Sequence, residues 1–191
     1  NSVCKPLNLF QFAYMGSIYA QHILKIKYPK IGLLSIGEES IKGNEVTVET
    51  NQLLKESSLN FIGNIEGRDI LTGKVDVVVC DGFVGNVVLK YSESVLQVLK
   101  DYVKLHLNEK FRFKLGAWLL KPMAIKFAKD FNYEEYGGAQ LVGVNGTVII
   151  THGSASSTAV GNAIRVARSI IKDRINQIIE EELKVENEKK N

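Results

Sequence analysis

Val75-Asp76-Val77-Val78-Val79-Cys80 is the stretch on which the fold turns. It is β-branched and nearly continuous, the mark of a strand covered on both faces rather than half exposed. It stops at Asp81 to Gly85, read as a turn, and a long helix is predicted from about Asn86 to Leu107. The same order recurs upstream. Lys30 to Ile36 (KIGLLSI) is an apolar run of strand length, Gly37 to Gly43 (GEESIKG) is a polar loop, and Asn44 caps a helix to about Ser57. Leu59 to Ile62 is a short strand ending at Gly63. Ahead of these, Pro6 opens a largely buried helix through Leu7, Leu9, Phe10, Phe12, Ala13 and Ile18. Repeated strand–loop–helix units predict an α/β fold with a mostly parallel sheet and helices packed on it.

The pattern changes downstream. Phe111 to Phe131 is helical in composition, and Pro122 is expected to break it, because proline removes a helical hydrogen bond and clashes with the preceding turn. After Tyr133-Glu134-Glu135-Tyr136-Gly137-Gly138, the runs Leu141 to Val144 and Thr147 to Thr151 flank Asn145-Gly146. That dipeptide signals one hairpin, whose two turn residues need positive φ. His152 to Ser157 is a small-residue loop. Val160, Ile164, Ala167, Ile171, Ile175, Ile178 and Leu183 then form a buried stripe on one last helix, whose charged end from Glu180 is expected to fray.

A length of 191 residues fits one large domain or two small ones. Apolar residues at 45% and charged residues at 24% exclude collagen, coiled coil and disorder. A net charge of +3 is too small for a nucleic-acid binder, so no nucleic-acid partner is expected. The charge is uneven: Lys100 to Asp130 carries eight cations against three anions, more than the whole surplus. Cys4 and Cys80 make neither a disulfide framework nor a metal cluster, and Cys80 reads as a small buried hydrophobe. No run reaches the ~20 apolar residues of a membrane span. The chain starts without Met and shows no signal peptide; the cytoplasm is the expected compartment.

Chemistry is expected at the strand ends. Gly37, Gly43, Gly63, Gly67, Gly82, Gly85 and Gly153 follow predicted strands, and loops at strand carboxyl ends form the ligand crevice of open α/β sheets. Any one such loop reads better as turns and caps; four at one edge favour a site. GxGxxG, Walker A, GxSxG, HExxH and CxxC are all absent. His22 and His106 fall within predicted helices, where a structural role is the better reading. His152 sits in a Gly/Ser loop, balanced between loop structure and site.

Four runs carry a resemblance: Ile36-Gly37-Glu38-Glu39 with Lys42-Gly43-Asn44-Glu45; Asn60-Phe61-Ile62-Gly63-Asn64-Ile65-Glu66-Gly67-Arg68-Asp69; Val77 to Asn86; and Glu135 to Ser154. Together they resemble the bacterial phosphate acyltransferase family, the acyl-ACP:phosphate transacylases of phospholipid synthesis, from Pro6 to about Lys172. The chain is similar to the C-terminal part of that family's domain, with the N-terminal part absent. The resemblance implies a three-layer α/β/α sandwich like the isocitrate/isopropylmalate dehydrogenases. It also implies acyl transfer from acyl carrier protein to inorganic phosphate without metal or nicotinamide. A dehydrogenase of the same fold would want a clustered pair of metal-binding Asp residues, and none is seen. The runner-up is a non-catalytic module that dimerises and binds acyl carrier protein or membrane.

Placed on the resemblance, Lys42 and Arg68 counter phosphate charge, with Asn64, Gly63 and Gly67 as donors. Arg68 could equally pair with Asp69 or Glu66 at the surface. Asn86, Gly82 and Gly85 would supply oxyanion donors at a helix start. Asp81 would orient a group or accept a proton, or merely form the turn. Asn44, Asn145 and His152 would complete the cleft wall. The segment about 108–131, with Phe113, Trp118, Leu119, Lys126 and Lys129, reads as a protruding helical element. It would serve a homodimer interface, peripheral contact with the inner face of the membrane, or acyl carrier protein.

Overall fold

The computed structural model describes residues 1–130 and 137–188, without the side chains of 128–130 and 187–188. The Tyr133 to Tyr136 run and the Lys129 side chain therefore lie outside the described residues.

Three strands form one parallel sheet: β1 (Ile31–Leu34), β2 (Phe61–Ile65) and β3 (Val77–Val79), in the order β2-β1-β3. Helix α1 (Pro6–His22) begins with Pro6 in its first turn, where the missing N–H costs nothing. Helix α2 (Glu45–Lys55) is capped by Asn44, whose Oδ1 accepts from the Thr47 N–H at 2.9 Å. The two helices pack on each other, α1 on β3 and α2 on β1 and β2, so they form one layer over one face. Ile31 and Leu33 point into that layer and share a core with Leu9, Phe10, Ala13, Tyr14 and Leu54. Gly16 lets α1 approach closely, since a Cβ there would lie 2.6 Å from Val77 Cγ1. On the opposite face Ile65 and Val75, both buried, close over Gly32.

A second core joins Ile18 of α1 to Ile170 of α5 (Ser157–Lys172) and Ile175 and Ile179 of α6 (Ile175–Glu188). The antiparallel pair β4 (Ala139–Gln140) and β5 (Ile149–Ile150) borders it through Ile149. The architecture is thus α/β with a parallel and a small antiparallel sheet.

Several expectations are corrected. β2 does not end at Gly63. It continues to Ile65 through a bulge: Ile31 pairs with Phe61, Gly32 with Gly63, and Ile62 is skipped. Gly63 takes φ +106°, which a side chain would strain. The run Asp81 to Gly85 is no separate turn, because α3 (Gly82–His106) starts at Gly82 with Asp81 as its cap. Pro122 does not break α4 (Phe111–Asp130). The Trp118 carbonyl, which loses its helical donor there, lies on an exposed helix where water can replace it. Asn145-Gly146 is not a two-residue turn. Of the two only Gly146 has positive φ, and the wider loop is tied to α6 by the Asn176 Nδ2 bond to the Gly146 carbonyl at 2.7 Å.

The single last helix is two, broken where Arg174 takes φ 53°. On one straight helix Ile170 and Ile175 would sit roughly 140° apart, at about 100° per residue. The break turns both toward Ile18. Val160, Ile164 and Ile171, expected in the buried stripe, are exposed. No residue of α3 is buried, and the described side chains of α4 are exposed or half-buried. Among the described residues no helix is long and apolar enough to cross a membrane.

Candidate functional site

Because β1, β2 and β3 are parallel, their carboxyl ends open on one edge. The loop after β1 is fixed by its own backbone and by β2. Ser35 N–H donates to the Ile65 carbonyl at 2.8 Å, and Ser35 Oγ donates to the Lys42 carbonyl at 2.9 Å. Asn64 Nδ2 donates to the Glu39 carbonyl at 2.8 Å and to the Lys42 carbonyl at 3.4 Å. Its Oδ1 accepts from Asn51 Nδ2 at 2.8 Å. In this arrangement the Asn64 amide is engaged within the protein, clamping the loop that carries Lys42.

After β2, residues Gly67–Asp69 form a short 3₁₀ turn, closed by the Glu66 N–H donating to Asp69 Oδ2 at 3.0 Å. Arg68 Nε lies 3.0 Å from Glu66 Oε2. The surface ion pair weighed for Arg68 is therefore present. Lys74 Nζ bridges Glu38 at 2.6 Å and Asp69 at 3.4 Å, strapping the first loop to the second.

These contacts shift two titrations. The Glu66 backbone N–H, and then Lys74, hold the Asp69 carboxyl below the usual carboxylate range. Glu38, and then Asp69, raise the Lys74 ammonium. A carboxylate with a depressed folded pKa contributes stability that is fully present above its unfolded value, about 3.9 for Asp. That contribution is lost as pH falls through the lower folded value. Asp69→Asn is therefore expected to flatten the acid limb of stability below about pH 4, read by urea unfolding across pH 2–6.

At the end of β3, Asp81 Oδ1 accepts from the Val84 N–H at 2.7 Å, capping α3. Gly82 N–H donates to the Asn1 carbonyl at 2.7 Å, and Gly85 N–H to the Asp81 carbonyl at 3.0 Å. A cavity of about 210 Å³ lies between the starts of α2 and α3, lined among others by Asn44, Thr47, Cys80, Asp81 and Val84. Two helix N-termini meet there, and each favours negative charge. Burial, and then Asp81, push the Cys80 thiol up; the side chain is half-buried rather than a fully buried hydrophobe.

Lys42, Asn44, Gly63, Asn64, Gly67, Arg68, Asp81, Gly82 and Gly85 thus gather at this edge. Asn86 follows on α3, exposed. Asn145 does not join them; it lines a separate cavity of about 580 Å³ with Met15, Ile170, Asn176 and Ile179. His152 Nδ1 pairs with Ser154 Oγ at 2.7 Å within its own loop. Lys74 and Asn51 were missed. Their only signals are a lysine just before a strand and an asparagine beside Leu53-Leu54 on a helix. Phe113, Trp118 and Leu119 are exposed at 43%, 69% and 64%, and Lys126 is exposed too, so these apolar and cationic side chains are left uncovered among the described residues.

A sequence profile described as "Fatty acid synthesis protein" matches residues 1–178. A curated "Phosphate acyltransferase" of Campylobacter jejuni is 51% identical over 183 residues, covering 96% of this chain and 56% of that protein. The chain belongs to the phosphate acyltransferase family. Its relative of the same description in Thermodesulfovibrio yellowstonii is also 51% identical, over 96% of this chain and 53% of that one. The corresponding figures for Heliobacterium modesticaldum are 50%, 96% and 55%. The chain spans about half the length of these phosphate acyltransferases.

Proposed function

We propose that this chain is the C-terminal part of a phosphate acyltransferase that moves a fatty acyl group from acyl carrier protein to inorganic phosphate. One observation carries the site. Arg68 and Lys74 at the strand-end edge are paired with carboxylates, while Lys42, exposed beside them, has no ion pair among the described residues. An unpaired cation near two converging helix N-termini suits a dianion.

The reaction asks little else. A phosphate oxygen attacks the thioester carbonyl carbon, the C–S bond breaks, and the thiolate leaves on the carrier protein. Hydrogen phosphate, a dianion, becomes an acyl phosphate monoanion, a mixed anhydride, and the thiolate carries the other negative charge, so charge balances. Holding phosphate against the carbonyl and stabilising the oxyanion are the protein's tasks. Lys42 counters the phosphate charge. Asp81, as the α3 cap, fixes the helix start that faces the cavity, with Asn86 one turn on.

The exposed apolar faces of α3 and α4 support a homodimer interface and peripheral membrane contact by the cationic α4. The second helical layer of a dehydrogenase-like sandwich would lie over the Gly32 face of the sheet. A cytoplasmic enzyme working at the membrane's inner face fits this reading.

The test is release of free carrier thiol from acyl carrier protein thioester, followed with and without inorganic phosphate. Phosphate-dependent release is expected. No release, or release indifferent to phosphate, leaves the non-catalytic binding module as the better reading.

A further inference from the structure

We infer that Asn51 is a positioning residue for the phosphate site, acting through Asn64 on the loop that carries Lys42; this rests on the function proposed above. The bulge in β2 makes it possible. In an unbroken strand, alternation would point Asn64 away from the face that Phe61 shares with Ile31. Skipping Ile62 pairs Asn64 with Leu33, which faces α2, and pairs Ile65 with Leu34 on the other side. Bulges commonly re-aim a side chain beside an active site.

Asn64 so turned meets Asn51, which is only 1% exposed on α2. A side-chain amide offers either a carbonyl or an NH₂ at each end, and its partners decide which. Donation from Asn51 Nδ2 fixes the Asn64 oxygen toward α2 and its NH₂ toward the Glu39 and Lys42 carbonyls. Reversed, that oxygen would face two carbonyl oxygens and push the loop away. Asn51 therefore chooses the orientation that holds the Lys42 backbone. Asn51 Oδ1 is itself buried without a hydrogen-bond partner. A helix residue serving packing alone would be apolar there, because a buried orphan acceptor is unfavourable.

The experiment measures inorganic phosphate affinity by calorimetry for the unaltered chain, Asn51→Leu, Asn51→Asp and Lys42→Met. Asn51→Leu keeps the branched shape, though its methyls are bulkier, and removes the donor. It is expected to weaken phosphate roughly five- to tenfold, the loss of about one hydrogen bond. Faster amide exchange at residues 35–43, with exchange in β3 unchanged, is expected beside it. Asn51→Asp differs by one group and draws the Asn64 NH₂ toward α2. It decides the matter if the leucine variant does not fold, and the same weakening is expected. Unchanged phosphate affinity in a folded Asn51 variant overturns the assignment. If Lys42→Met also leaves affinity unchanged, the fault lies with the proposed site. If Lys42→Met weakens it and neither Asn51 variant does, the site stands and the relay falls.

Discussion

Replacing Lys42 with alanine is expected to weaken phosphate binding by roughly 10- to 100-fold, since a hydrogen bond to a charged group is worth about 1.5–3 kcal/mol. The thermal midpoint should hardly move. The Lys42 side chain is exposed and forms no ion pair among the described residues, so the fold loses nothing when it goes. What holds the loop is the Lys42 carbonyl, which accepts from Ser35 Oγ and Asn64 Nδ2 and survives the substitution. Calorimetric titration with phosphate at constant ionic strength checks the affinity. Arg68→Ala should do less, because Nε of that guanidinium already faces Glu66. From sequence alone, Arg68 with its bidentate fork is the favoured phosphate partner, with Arg68→Ala expected to raise the phosphate KM sharply; its ion pair with Glu66 shifts that expectation to Lys42.

Replacing Phe10 with alanine is expected to cost about 3–5 kcal/mol of folding stability, the range for emptying a buried aromatic site. Phe10 is fully buried, its ring centroid 5.1 Å from that of Tyr14, in the core that α1 shares with β1 and α2. Urea unfolding would register the loss. Leu89→Ala on α3, where the side chain is 65% exposed, should change stability in this chain by less than about 0.5 kcal/mol. The contrast separates the two kinds of apolar residue here. Those of α1 and β1 fold the chain, whereas those of α3 and α4 stand largely exposed.

Much of the fold was legible where local chemistry decides. The Val77–Val79 strand, the Asn44 cap and Pro6 at the start of α1 are each set by a few neighbouring residues. The parallel sheet follows from their order. Less was legible where tertiary contacts overrule a local rule. Arg174 takes a left-handed conformation with no glycine or proline to announce it, because two isoleucines must reach one core. Pro122 stays inside a helix that is exposed and can leave a carbonyl to water.

The site divides in the same way. The loops carrying Lys42, Asn44, Gly63, Gly67, Asp81, Gly82 and Gly85 are expected at the strand ends, and the parallel sheet places those loops on one edge. Asn64 is expected there as a phosphate donor, whereas its amide hydrogens serve the Glu39 and Lys42 carbonyls. That role depends on a one-residue bulge, and a register slip leaves only Gly63 as its trace in sequence. Asn51 and Lys74 act across 13 and 36 residues of chain, a separation no local pattern encodes.

The most direct measurement is an amide chemical-shift map of the chain titrated with inorganic phosphate, with chloride at matched ionic strength as control. Shifts confined to residues 35–44 and 80–86 are the expected result, centred on Lys42 and the starts of α2 and α3. Shifts centred on the cations of α4 or on Arg165, Arg168 and Lys172 of α5, with the strand-end loops silent, would contradict a phosphate site at the ends of β1, β2 and β3.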